Sequence, residues 1–241
     1  MQTRSPYDDS IALSPNQQLA ISSFITRTYG WMFLGLALTG VVSYLVASNE
    51  AAVQMFLVNR WMFFGVIIAE LALVVGLTMA YNKISAATAT LGFLLYAGLN
   101  GVTFALVFLL YTGSSVAQVF MITAGMFGGL ALFGSVTKKD LTGVGTFVGM
   151  GLWGLILIGL ANMFIRSESL NLGLAVAGVF IFAGLTAYDA QRIRAMAYQS
   201  ASGQNHRGEA DKSAIFGALM LYLNFINLFW SLLRLFGERR H

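Results

Sequence analysis

Residues Trp61–Tyr81 read WMFFGVIIAELALVVGLTMAY, an apolar run with a single charge, Glu70, near its middle. A helix of roughly 20 apolar residues crosses hydrocarbon about 30 Å thick. The run is continuous rather than alternating with period two. Lipid leaves the backbone only helices or closed barrels in which to satisfy its polar groups, so the stretch predicts a membrane-spanning helix. Working outward, six more blocks pass the same test: Tyr29–Ala47, Ala86–Tyr111, Val116–Ser135, Val144–Ile165, Leu170–Tyr188 and Ala214–Leu235. The joints Asn82–Lys83, Thr112–Ser115 and Lys138–Asp140 are short enough to force antiparallel neighbours, and one longer joint runs from Ala190 to Ser213. The predicted fold is an all-α membrane protein, a bundle of about seven transmembrane helices without an internal repeat. A soluble tail covers residues 1–26, the transmembrane domain 27–237 and a short tail 238–241.

Composition points the same way. Of 241 residues, 57% are hydrophobic and 10% are charged, against about 25% charged in ordinary soluble domains. The missing polar surface must face lipid, so the bilayer is the first partner. The net charge of +4 is scattered between apolar blocks, where topological signals belong, and does not suggest nucleic acid. Cysteine is absent, and the only histidines, His206 and His241, lie outside the blocks and far apart. No thiolate site and no zinc site can be built from that set, and no cofactor is expected.

Orientation follows from Lys and Arg on alternate sides. Arg4, Arg27, Lys83, Lys138, Lys139, Arg192, Arg194, Arg207 and Lys212 fall on one side; Arg60, Arg166, Arg234, Arg239 and Arg240 fall on the other. The richer side is cytoplasmic by the positive-inside rule, which puts the N-terminus there. A last block that dips in and returns would move its three arginines across and sharpen the asymmetry. Seven full spans are favoured because that block is long enough to cross.

An ionisable group at bilayer depth costs at least about 2.5–3.5 kcal/mol at mid-helix. Most acids avoid this by lying in tails, joints or block edges; the two that stand out are Glu70 and Asp189. Glu70 has only apolar neighbours three and four residues away along its helix, so it is protonated, paired across helices, or exposed to a wet cavity. Asp189 ends the sixth block, with Arg192 and Arg194 as candidate charge partners. In the last block Asn224 and Asn227 share a face, as do Asn227 and Ser231. Glu70, Asp189, Asn224 and Asn227 are thus candidates for an ion pathway through a wet core. Gly125-xxx-Gly129 and Gly145-xxx-Gly149 predict close helix packing. Trp31, Trp61, Tyr81 and Tyr111 lie at block ends, as an aromatic belt would.

The segments Leu185–Ile193 (LTAYDAQRI), Leu221–Phe229 (LYLNFINLF) and Ser231–Gly237 (SLLRLFG) resemble the Bax inhibitor family, the transmembrane Bax inhibitor motif proteins, in its bacterial inner-membrane branch. Thr137–Leu141, Ala124–Gly128 and Tyr29–Met32 extend the resemblance over about Tyr29 to Gly237. It implies a seven-helix bundle whose last helix is wrapped by the other six, and a pH-sensitive passive leak of calcium as permeant ion. The gate it implies is a pair of aspartates on the last two helices. Asp189 matches the first; the second falls on Asn224. Two facing carboxylates cannot both ionise at close range, so they share a proton and titrate as a latch. An acid facing an amide lacks that coupling. The expected result is a pH response weakened or moved toward acid, and weaker calcium binding, because hard cations prefer charged oxygens. The resemblance also sets Glu70 where members carry an acid on the second helix, and Lys83 near a basic residue that contacts the pair.

The second function class is a non-conducting regulatory protein. The resemblance implies survival or stress roles and association with other membrane proteins, such as a membrane quality-control protease. An intramembrane enzyme is not expected. A serine protease lacks a membrane base, an aspartyl type lacks a second membrane aspartate, and a metalloprotease lacks its histidine pair.

Overall fold

The computed structural model describes residues 14–202 and 207–240. His206, His241, Arg4 and the other expectations for residues 1–13 lie outside the described residues. Eight helices follow in order: α1 Pro15–Ala47, α2 Glu50–Ala52, α3 Arg60–Met79, α4 Ala86–Leu110, α5 Gly113–Val136, α6 Thr142–Ile165, α7 Glu168–Ala201 and α8 Arg207–Phe236, with a π-helical turn at Val53–Val58 between α2 and α3. All but α2 are long and apolar enough to cross a membrane, which makes this an all-α integral membrane protein with seven such helices. Among the described residues no β-strand forms; a lone bridge joins Tyr111 and Arg239.

Three helices, α1, α7 and α8, run well past the blocks that announced them. At about 1.5 Å per residue, α1 and α7 measure about 50 Å, well beyond hydrocarbon thickness. α1 starts at Pro15, inside the stretch assigned to the tail, because Ser14 and Gln17 form a reciprocal capping box and Pro15 occupies the first turn. The long joint is corrected: residues 190–201 continue α7, and α8 is already helical from Arg207. Asp189 therefore lies inside a continuous helix and not at its end.

α8 is the most buried span: 72% of its apolar stretch is buried, against at most 39% in any other. It packs on α1, α4, α5 and α7, while α3 packs on α4 and α6 packs on α7. Tyr222, fully buried, shares a hydroxyl contact of 2.6 Å with Thr39 of α1 and sets its ring edge-on to Phe93 and Tyr96 of α4. Thr39 also donates toward the Gly35 and Ala97 carbonyls, which leaves its hydroxyl satisfied inside the apolar bundle.

The two ends of α8 are tied to opposite ends of the bundle. Near its start, Asp211 pairs with Arg27 of α1, Ser213 meets the Tyr81 hydroxyl at 2.9 Å, and Lys212 stands 4.8 Å from the Tyr81 ring. Beyond its last turn, Thr112 N–H donates to the Glu238 carbonyl at 3.0 Å and Arg240 N–H to the Leu110 carbonyl at 2.9 Å. α8 thus runs from the end that holds Lys83 to the end that holds Arg166, which removes the alternative of a last block that dips and returns.

Glycine packing departs from expectation. A side-chain carbon at Gly145 would strike the Tyr188 ring, but at Gly125, Gly129 and Gly149 it would meet nothing within 4 Å. The tightest approach is Gly134 of α5, where that carbon would fall on the Ala187 carbonyl of α7. The aromatic belt also divides: Trp61 is 86% exposed, whereas Tyr111 is buried beneath the C-terminal residues.

Candidate functional site

Asp189 and Asn224 meet where α7 lies against α8. Asn224 Nδ2 donates to Asp189 Oδ2 at 2.7 Å, and both side chains are buried. The sequence paired an acid with an amide here, and the geometry is that of donor to carboxylate. Of the candidate charge partners, Arg192 stays within electrostatic reach of Asp189, with its Nη1 3.7 Å from Met220 Sδ, while Arg194 Nη1 donates to the Ser135 carbonyl at 2.9 Å and its guanidinium covers the Tyr198 ring. Lys83 sits in the turn between α3 and α4 and makes no ion pair among the described residues.

α3 and α6 stand on different neighbours, and the space they leave beside α8 is a crevice of about 630 Å³. Its walls are mostly apolar, with six leucines among them. The polar groups reach it along one face of α8: Asn224, Asn227, Ser231 and Arg234, spaced by three, four and three residues. Asn227 and Ser231 are partly satisfied within their own helix, through the Leu223 and Asn227 carbonyls, each at 2.8 Å. Asp189 is the one acid lining the crevice among the described residues. Tyr96 and Arg234 also line it, and the sequence reading missed both. Arg234 was detectable as the next step of the Asn224–Asn227–Ser231 stripe; nothing local marked Tyr96.

Glu70 takes a different place. Its carboxylate accepts from the Thr103 hydroxyl of α4, so the acid is hydrogen-bonded across helices, and it is not among the residues lining this crevice. The spacing of apolar residues around Glu70 gave no sign of Thr103, which lies on another span.

A second cavity of about 810 Å³ adjoins the crevice at the Arg166 end and shares Gly159, Leu174, Trp230 and Arg234 with it. Arg166 and Arg239 complete its basic lining, with Glu168 as the acid. Among the described residues no group of three potential metal ligands is found.

A polytopic membrane protein with a buried acid–amide contact between its last two long helices is the class these features define. The family model described as "Inhibitor of apoptosis-promoting Bax1" matches residues 21–241, and the chain belongs to this Bax inhibitor family. It is 41% identical to "Inner membrane protein YbhL" of Escherichia coli K12 over 237 residues, 98% of this chain and 99% of that one. It is likewise 41% identical to a protein of Borreliella burgdorferi, with 93% and 96% of the two chains covered, and to one of Deinococcus radiodurans, with 95% and 96% covered.

Proposed function

We propose that this protein is a passive cation leak pathway in a bacterial inner membrane, N-terminus in the cytoplasm, with the Asp189–Asn224 contact as its closed gate. Calcium is the proposed permeant ion. The observation that carries the reading is a crevice whose one acid is tied to an amide at its deep end. A cation that reaches this depth needs oxygen ligands to replace its water, and Asp189, Asn224 and Asn227 are the groups that supply them. Passage requires the Asn224 amide to release Asp189 and α7 to part from α8 at that point. No catalytic step is assigned to any residue. Kinship with the E. coli inner membrane protein and the excess of Lys and Arg at the Lys83 end support the location and orientation.

One observation favours the alternative of a non-conducting regulator of other membrane proteins, such as a quality-control protease. Arg166, Arg234 and Arg239 put positive charge where a cation would enter from the Arg166 end. Calcium flux into proteoliposomes between pH 5 and pH 8 separates the two, measured for the native chain, Asp189→Asn and Asn224→Asp. The leak reading expects flux that changes in Asp189→Asn and becomes steeply pH-dependent in Asn224→Asp, where two carboxylates face each other. Three folded but equally silent proteins would leave the regulator.

A further inference from the structure

We propose that the cavity at the Arg166 end binds the phosphate of an anionic phospholipid headgroup. Three guanidinium groups reach it from three separate places in the fold. Arg166 caps α6 in the left-handed conformation, φ 56°. Arg234 lies in the last turn of α8, 5.1 Å from the Trp230 ring. Arg239 is held by its bridge to Tyr111. Glu168 is the acid of the lining, yet among the described residues none of the three arginines makes an ion pair. Three exposed guanidinium groups beside one acid leave the cavity with an excess of positive charge, and guanidinium forks suit phosphate oxygens.

Neutral donors complete the site. Asn162 Nδ2 donates to Asn171 Oδ1 at 2.9 Å and to the Ser167 carbonyl at 3.2 Å, which fixes both amides and leaves Asn171 Nδ2 without a partner among the described residues. Apart from Tyr111, the rest of the lining is apolar, with Leu110, Met163, Leu172 and Leu174 supplying the larger side chains. A free phosphate ion would gain nothing from such walls, whereas a headgroup brings an acyl chain to cover them. Position agrees, because Arg166 and Arg239 stand just past the ends of helices long and apolar enough to span, where headgroups would meet them. This inference concerns binding alone and stands whether or not the protein conducts.

The test uses Trp230 as reporter in the full chain, with Trp31, Trp61 and Trp153 changed to Phe. The protein is reconstituted into vesicles with brominated phosphatidylglycerol or brominated phosphatidylcholine. Phosphatidylglycerol should quench more strongly, with a preference of about fivefold per arginine engaged. Arg239→Gln and Arg166→Asn, the latter keeping a residue that tolerates positive φ, should bring the ratio toward parity; Glu168→Gln should raise it. Native mass spectrometry of the unaltered chain, comparing retention of the two lipids, guards against a damaged triple variant. Equal quenching and equal retention of both lipids would overturn the site. Relief of the phosphatidylglycerol effect by millimolar inorganic phosphate would overturn the lipid as its occupant and leave a soluble anion in its place.

Discussion

The contact between Asn224 and Asp189 can be weighed directly with a double-mutant cycle of Asp189→Ala and Asn224→Ala. Neutral interhelical hydrogen bonds in membranes average about 0.6 kcal/mol and reach about 1.7. Bonds to a charged group contribute about 1.5–3 kcal/mol. The 2.7 Å separation is at the short end of the N–H···O range, and burial to 7% and 5% exposure removes competing water. A coupling energy of about 2 kcal/mol is therefore expected, from unfolding free energies measured by SDS titration in mixed micelles. Asn224→Ala alone should cost more than the coupling, since it leaves a buried carboxyl without its donor. If the contact is the whole gate, losing 2 kcal/mol shifts the closed–open balance by about thirtyfold, and the leak through Asn224→Ala should rise by up to that factor. A coupling energy below about 0.6 kcal/mol would refute the reasoning, because the pair would then be no more than ordinary helix contact.

Two further outcomes are expected. Gly134→Ala should destabilise by at least about 2 kcal/mol, because its new carbon falls on the backbone of Ala187, while Gly125→Ala, with open space around it, should be neutral or stabilise by up to about 1 kcal/mol; equal unfolding midpoints would contradict this. Asp140, in the joint before α6, accepts from the Thr142 hydroxyl at 2.6 Å and backbone N–H at 2.8 Å, and these bonds hold its carboxyl below the usual value. A lowered folded-state value adds stability that is present above the unfolded value and is lost as pH falls through the lowered one, so Asp140→Asn should melt below the native chain at neutral pH, and the two melting curves should converge in acid.

The spans were legible because each is a long apolar run, and lipid makes that signal nearly unambiguous. Their extensions were not. Residues 190–201 carry Gln191, Arg192, Arg194 and Gln199, and that polarity reads as a joint, although α7 continues through them with Ala190, Ile193 and Ala197 packed in the core. The Ser14-Pro15-Asn16-Gln17 start of α1 did carry a capping signature, hidden by the expectation that a polar tail is unstructured. At the site, helical spacing was enough to align Asn224, Asn227 and Ser231, and the resemblance supplied Asp189 as the partner of Asn224. Spacing cannot reveal contacts between spans. Thr103 beneath Glu70, Ser135 beneath Arg194 and the crevice between α3 and α6 depend on how helices cross, and no local pattern encodes that. The small-residue motifs misled at Gly125, Gly129 and Gly149, though not at Gly145, for the same reason: a Gly-xxx-Gly face marks what could pack closely, and the neighbour that uses it is chosen elsewhere.

The burial of α8 has a bearing on biogenesis. The ribosome delivers this helix only after six other spans have entered the bilayer, so those six must exist for a time as an unfinished bundle whose interior faces lipid or an insertion chaperone. Thr39 is suited to that wait, since the Gly35 and Ala97 carbonyls satisfy its hydroxyl before Tyr222 arrives. Asp189 is not, because its partner Asn224 arrives with the last helix. A membrane-embedded acid therefore first finds its donor when the last of the seven long helices joins the bundle.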